Sequence, residues 1–270
     1  MTTVVIGEGS MIAQALRRHP QAASWRYLPH RQALAEPDRM RDARTVINLA
    51  FDPRLKSTPY HPDLDVDRQL ADRLVDTSCA YIMASTRMVY GPAGDDQRLT
   101  ESMKPEPANE YGRAKLASER HLATTLGDRV TVLRLSNIFD ATEAAGDRRS
   151  FFGMAMRGLA THGRIVFDMS PFVARDFLPA DLLADRLVEV AAHPRAGVFN
   201  LGAGFAVPTG RIAQWLIGGY GSGELLINDF REHDGFWLDM DRARGTWGFA
   251  PVTEAMVREA CVAAGAGLAR

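Results

Sequence analysis

Cysteine is scarce in this chain of 270 residues: there are two, Cys79 and Cys261, far apart and in apolar surroundings. No disulfide framework is expected from them, only buried free thiols of the kind that suit a reducing cytosol. A chain of this length buries most of its apolar surface and needs neither disulfides nor a metal to fold. An excess of charge is missing as well, with 32 basic against 33 acidic side chains. No general attraction to nucleic acid or to a membrane surface follows from that balance. Uninterrupted apolar runs long enough to span a bilayer are absent, and the opening MTTVVIGEGS lacks the basic region of a signal peptide. Internal repeats and low-complexity tracts are absent too. The expectation is a cytoplasmic, metal-free protein with one large α/β domain, or a main domain and a small partner lobe.

What is present is an alternation of apolar runs with helix-period stretches, the pattern of βαβ units on a parallel sheet. Strands are expected at Thr3–Ile6, Trp25–Leu28, Thr45–Ala50, Ala80–Ala84, Arg129–Leu135 and Gly197–Leu201. Helices are expected at Met11–Arg18, Asp65–Thr77, Asn109–Thr125, Phe151–His162, Asp181–Ala192 and Thr209–Ile217. Residues 141–149 are polar and read as a loop. Short strands at Arg164–Phe167, Leu225–Asn228 and around FWLDM suit a smaller lobe.

Gly7-Glu8-Gly9-Ser10-Met11-Ile12 follows the first strand and opens the first helix. Small residues there let the backbone turn sharply and let a pyrophosphate approach the amides, while the helix N-terminus supplies partial positive charge. A tight βα turn of purely structural purpose also wants glycine. The third small position is Ala13. The second strand ends in Leu28-Pro29-His30-Arg31. An acidic residue there would accept from the ribose hydroxyls of NAD, whereas Arg31 suits the 2′-phosphate of NADP. NADP is therefore the preferred cofactor and NAD the alternative, with a solvated surface arginine as the bland reading of Arg31.

Tyr111 and Lys115 lie one helical turn apart on the same face. An ammonium beside a phenol favours the phenolate, which can then exchange a proton with a substrate oxygen near neutral pH. The same lysine can hold a nicotinamide ribose. An ordinary amphipathic helix with one exposed lysine produces the same spacing. Ser85 and Thr86 close a buried strand, and in an open parallel sheet ligands sit beyond the carboxyl ends of the strands. A hydroxyl there can hydrogen-bond a substrate carbonyl or alkoxide as charge develops. Alternatively, both hydroxyls only satisfy backbone groups in a turn.

Taken in order, these segments resemble the extended short-chain dehydrogenase/reductase family of sugar-nucleotide epimerases, dehydratases and reductases. The resemblance rests on the turn at Gly7, Ser10 and Ala13; VINLA at Val46–Ala50; STRMVYG at Ser85–Gly91; and Tyr111 with Lys115. Further matches are RLSNIF at Arg134–Phe139, RDFLPAD at Arg175–Asp181, GVFNLGAG at Gly197–Gly204 and LDMDRARGTWGFAP at Leu238–Pro251. It implies a Rossmann-type, doubly wound parallel sheet with a small C-terminal substrate lobe. The Rossmann domain would take residues 1–140 and about 175–202. The lobe would take about 141–174 and 203–270. By position, Thr86, Tyr111 and Lys115 would be catalytic. Gly7, Gly9, Ser10, Met11, Ile12, Leu49, Ala50, Lys115, Leu135 and Ile138 would contact the cofactor, together with Arg31. Ser85, Arg87, Asn137, Arg175 and Arg231 would face the substrate. Arg175 would meet a diphosphate, unless it pairs with Asp176 or Asp181.

The Asp-Glu pair that dehydratases of this type carry after the threonine is replaced by Arg87 and Met88, which disfavours simple dehydration. Neither cysteine falls where the 3,5-epimerising reductases need one. Reduction of a nucleotide-linked keto-sugar is preferred, since Arg31 points to NADPH. The alternatives are 4-epimerisation with tightly held NAD and a non-catalytic NADP-binding sensor or scaffold. The short lobe and the short stretch from Arg31 to Thr45 suggest a smaller or more openly bound substrate. A homodimer is expected, with Leu70, Leu74, Leu116 and Leu122 supplying apolar contacts between copies of the two corresponding helices.

Overall fold

The computed structural model describes residues 2–141 and 150–269, so the expected loop at 141–149 lies outside them from residue 142 onward. The first half runs β1 (Thr2–Ile6), α1 (Met11–Arg18), β2 (Arg26–Leu28), α2 (His30–Ala35), α3 (Asp38–Arg41), β3 (Ala43–Asn48), α4 (Val66–Leu74), β4 (Ala80–Thr86), β5 (Arg98–Leu99) and α5 (Glu110–Leu126). The second runs β6 (Val130–Leu135), β7 (Asn137–Phe139), α6 (Phe151–His162), β8 (Arg164–Phe167), β9 (Ala174–Arg175), β10 (Phe177–Pro179), α7 (Ala180–Ala192) and β11 (Gly197–Leu201). It closes with β12 (Val207–Pro208), α8 (Thr209–Tyr220), β13 (Glu224–Ile227), β14 (Trp237–Leu238), α9 (Asp241–Trp247) and α10 (Glu254–Leu268).

Six of these strands form one parallel sheet in the order β11-β6-β4-β3-β1-β2. Successive side chains of a strand point to opposite faces, and both faces are covered here. Val5, Ile47, Ile82 and Leu133 join one core with Leu16 of α1 and Leu187 of α7. Val4, Val46, Tyr81, Met83 and Val132 join another with Leu70 and Leu74 of α4 and Leu122 of α5. That two-sided burial explains why the strands read as continuous apolar runs. The short strands pair outside the main sheet, β8 with β13, β9 with β12, β7 with β10 and β5 with β14.

Two differences from expectation have local causes. The strand expected to reach Ala50 stops at Asn48, because the Asn48 side chain accepts from the Ala50 N–H and donates to the Ala50 carbonyl, turning the chain. The stretch from Arg31 to Thr45, expected to be too short for a full further strand and helix, holds two short helices before β3 begins. The four leucines assigned to a dimer interface are internal: Leu70, Leu74 and Leu122 lie under the sheet, and Leu116 packs with Val89, Phe236 and Leu238. They are spent on the chain's own core. Cys79 and Cys261 are buried free thiols, pushed up to about 11 and about 12 by burial. No helix among the described residues is long and apolar enough to cross a membrane.

Candidate active site

The turn after β1 is shaped by one glycine. Gly7 adopts φ +90, and a Cβ there would stand 2.8 Å from the Ala50 amide nitrogen. Its N–H donates to the Leu28 carbonyl and its own carbonyl accepts from Ser10. The Ser10 hydroxyl then caps α1 by accepting from the Ala13 N–H at 3.1 Å. Gly9 is exposed, and nothing lies within 4 Å of the position its Cβ would take. The result is an open cradle of backbone at a helix N-terminus, with no acidic residue in the helix's first turn. Met11 and Ile12 begin that helix. Arg31 sits exposed on α2, just past the end of β2.

The cradle is continuous with the tyrosine and lysine. Leu49 and Ala50 flank Gly7, and Phe51 follows them. The Phe51 ring meets the Tyr111 ring edge-on at 5.0 Å and lies 5.0 Å from the Lys115 ammonium. Helix α5 reaches this place because Asn109 caps it by accepting from the Gly112 N–H. Gly112 also lacks the Cβ that would collide with the Met88 carbonyl just after β4. Close approach at Gly112 therefore brings Tyr111 beside the end of β4, where Thr86 lies. The Thr86 hydroxyl accepts from the Met88 N–H at 3.2 Å, which leaves its own proton to donate.

Lys115 is not the exposed lysine of an ordinary amphipathic helix; it is 3 % exposed. Its ammonium donates to Asp67 at 3.2 Å. Burial works against the charge, yet Asp67, Tyr111 and Asp65 together outweigh it and hold the ammonium above the usual lysine range. Asp67 is itself buried, and it also accepts from the Asn48 amide at 2.7 Å and the Tyr81 hydroxyl at 2.8 Å.

Ser85 requires a correction. It is buried, and its hydroxyl donates to Glu119 at 2.5 Å, within the Glu119–Arg134 ion pair. Strand alternation turns it away from Thr86, and its hydroxyl is spent on Glu119 of α5. Arg231 is also not brought to the site: it lies exposed and pairs with Asp229 at 3.2 Å. Asn137, Ile138 and Arg175 do converge, lining a cavity of about 690 Å³ with Lys56, Ser136 and Phe177. Leu135 is buried at the end of β6, two residues before Asn137. Arg175 pairs with neither Asp176 nor Asp181; its side chain donates to the Asp234 carbonyl at 3.4 Å. Asp176 is instead wholly buried and accepts from the N–H groups of Ala203, Gly204 and Leu238. Arg87 lies over the Phe236 ring at 4.0 Å and pairs with the Asp234 carboxylate at 2.8 Å.

Sequence reasoning missed Asp67, Glu119, Phe51 and Lys56. Asp67 carried a signal, because it stands three residues before Leu70 and four before Ala71, on the stripe of α4 that packs inward. A carboxylate on such a stripe needs a buried partner.

A sequence model described as the NAD dependent epimerase/dehydratase family matches residues 27–202. An ADP-L-glycero-D-manno-heptose-6-epimerase from Alkalilimnicola ehrlichii is 29% identical over 183 residues, 63% of this chain and 56% of that protein. The chain thus aligns to a little over half the length of this curated relative. Among solved structures, a UDP-N-acetylglucosamine 4-epimerase from Methanobrevibacter ruminantium, in complex with UDP-N-acetylmuramic acid, superposes with a TM-score of 0.83 at 16% identity, covering 98% of this chain and 97% of the other. A UDP-glucose 4-epimerase from Thermotoga maritima with UDP-glucose gives 0.82 at 17%, covering 99% and 98%. RMD from Pseudomonas aeruginosa, complexed with NADPH, gives 0.76 at 22%, covering 100% and 99%. At these identities the structural likeness speaks for the fold.

Proposed function

The chain belongs to the NAD dependent epimerase/dehydratase family, and from that premise we propose that it exchanges a hydride between a nicotinamide dinucleotide and a nucleotide-linked sugar. The observation that carries this reading is one chain of contacts. It runs from the Gly7 cradle through Ala50 and Phe51 to Tyr111 and Lys115, near the end of β4. Residues around Gly7 and Ser10 would hold the pyrophosphate, and Lys115 the nicotinamide ribose. When bound, the nicotinamide supplies the hydride acceptor or donor.

The chain's own residues handle the proton. Thr86, with one lone pair already engaged by the Met88 N–H, donates to the sugar oxygen. Tyr111 takes the proton of that oxygen when a hydroxyl is oxidised and returns it when a carbonyl is reduced. Lys115 keeps a positive charge near the phenol. The cavity holding Asn137, Lys56 and Arg175 would take the nucleotide portion, with the Arg175 fork on the diphosphate.

Two directions of use are consistent with this chemistry. Arg31, in place of an acidic residue past β2, favours NADP and hence net reduction. The pairing of Lys115 with a carboxylate favours 4-epimerisation, in which the sugar is first oxidised and then reduced on the other face.

The test is Tyr111→Phe, assayed with a panel of nucleotide-linked sugars and keto-sugars while nicotinamide absorbance is followed. Turnover is expected to fall by about 100-fold or more, with dinucleotide affinity kept within about threefold. Unchanged turnover would remove the acid/base assignment, and a chain that binds dinucleotide but turns over nothing in the panel would favour a sensor or scaffold.

A further inference from the structure

The ammonium of Lys115 faces two carboxylates. Asp67 of α4 and Asp65, the cap of that helix, act on it together with Tyr111 of its own helix, while the Phe51 ring covers it at 5.0 Å. Asp67 and Lys115 are 2 % and 3 % exposed, so solvent screens their pairing little. Three donors fix the Asp67 carboxylate: Asn48 at 2.7 Å, Tyr81 at 2.8 Å and Lys115 at 3.2 Å. Asp65 is fixed in turn by the Ser118 hydroxyl at 2.8 Å, the Tyr60 hydroxyl at 2.9 Å and the Arg68 N–H at 3.1 Å. Neither carboxylate is free to swing away.

The two oxidation states of a nicotinamide differ by one unit of charge on the ring: the oxidised ring is a cation and the reduced ring is neutral. A bare buried ammonium beside the ring therefore disfavours the oxidised form, and a neutralised ammonium removes that penalty. We propose that Asp67 is a positioning residue that cancels the Lys115 charge toward the nicotinamide and biases the bound dinucleotide toward its oxidised form. This rests on the reading that Lys115 borders the nicotinamide. It deepens that reading by assigning a direction: the loaded chain is poised to take hydride from a sugar hydroxyl first. Its substrate class is then an alcohol-bearing nucleotide sugar, and any ketone arises within the site. Asp67 also ties Lys115 to Asn48, whose side chain shapes the Leu49–Ala50 turn beside the Gly7 cradle. The lysine is thereby held in register with the cofactor surface.

The experiment measures dissociation constants by calorimetry on the full chain at pH 7. It uses the oxidised and reduced forms of NAD or NADP, whichever pair binds tighter. The quantity read is the ratio of the oxidised-form constant to the reduced-form constant. In Asp67→Asn the ratio is expected to rise about fivefold or more, the oxidised form weakening against the reduced. In Lys115→Met, which removes the cation and leaves the carboxylate, it is expected to fall. Loosened packing alone weakens both forms alike and leaves the ratio where it was. Ratios within about twofold of the unmodified chain in both variants would overturn the role of Asp67 while leaving hydride transfer standing. If only one variant folds, its ratio decides. Failure of the unmodified chain to bind either form would take down both readings together.

Discussion

At the scale of single residues, the phosphate turn separates a glycine the fold requires from one it does not. Gly7 combines φ +90 with a Cβ position 2.8 Å from the Ala50 amide nitrogen. Alanine there is strained by its backbone angle and by contact with a main-chain atom that cannot step aside. Gly9 has no positive φ and open space around its Cβ position. Gly7→Ala is expected to cost about 1–3 kcal/mol in urea denaturation. Gly9→Ala should stay within about 0.5 kcal/mol yet weaken dinucleotide binding about tenfold, because the added methyl enters the space a pyrophosphate would occupy. Equal stability loss in the two variants would mean the turn is shaped by something other than the Ala50 contact. Retained dinucleotide affinity in Gly9→Ala would place the pyrophosphate elsewhere.

Among the elements, α5 shows how a helix carries both chemistry and structure on a buried face. Lys115 and Glu119 are one turn apart, both buried, and each is neutralised by a different neighbour: Lys115 by Asp67 of α4, Glu119 by Arg134 of β6. Arg134 donates to both Glu119 oxygens, at 2.7 and 3.2 Å, and lies 4.6 Å from the Tyr90 ring. Glu119→Met leaves that guanidinium buried without a counter-charge and is expected to cost about 3–5 kcal/mol. Adding Arg134→Met should recover much of the loss, which a double-mutant cycle in urea would read. Additive losses would mean the two side chains act independently. The sheet strands were legible because both faces are apolar and the runs are unbroken; α4 was legible from the apolar face that carries Leu70 and Leu74, and α5 from the capping context at Asn109. The pairings Lys115–Asp67, Glu119–Arg134 and Ser85–Glu119 were not. Each joins residues from different elements, and helical or strand period reports which face a residue takes but not which charge stands opposite it. Ser85 was misassigned for that reason: proximity in sequence to Thr86 suggested a shared role, whereas alternation along β4 sends the two hydroxyls to opposite sides.

For the molecule as a whole, the segment from Asp234 to Asp239 sutures the later chain to the end of the main sheet. Asp234 pairs with Arg87 at 2.8 Å and accepts from the Ala93 N–H at 3.0 Å. Leu238 donates to the buried Asp176, and Asp239 accepts from the Arg98 Nε at 2.7 Å. β14 pairs with β5 between these contacts. Across this seam Arg87 pairs with the Asp234 carboxylate, while Arg175 donates to the Asp234 main-chain carbonyl. Burial pulls both guanidiniums below their ordinary range, the Arg87 charge pulls Arg175 further, and Asp234 opposes the shift. At Arg87 and Arg175 two guanidiniums thus stand beside one carboxylate, an arrangement suited to a diphosphate. Asp234→Asn removes the counter-charge and is expected to lower stability by about 1–3 kcal/mol. The same change should strengthen anion binding, because the Arg87 charge is then unopposed beside Arg175, which lines the cavity. Inorganic pyrophosphate at a fixed concentration should thus raise the melting temperature of Asp234→Asn more than that of the unmodified chain, since a ligand stabilises in proportion to its occupancy of the folded form. Equal shifts in the two proteins would show that the Asp234 charge is not felt where the anion binds, and that the seam serves only to hold the later chain to the sheet.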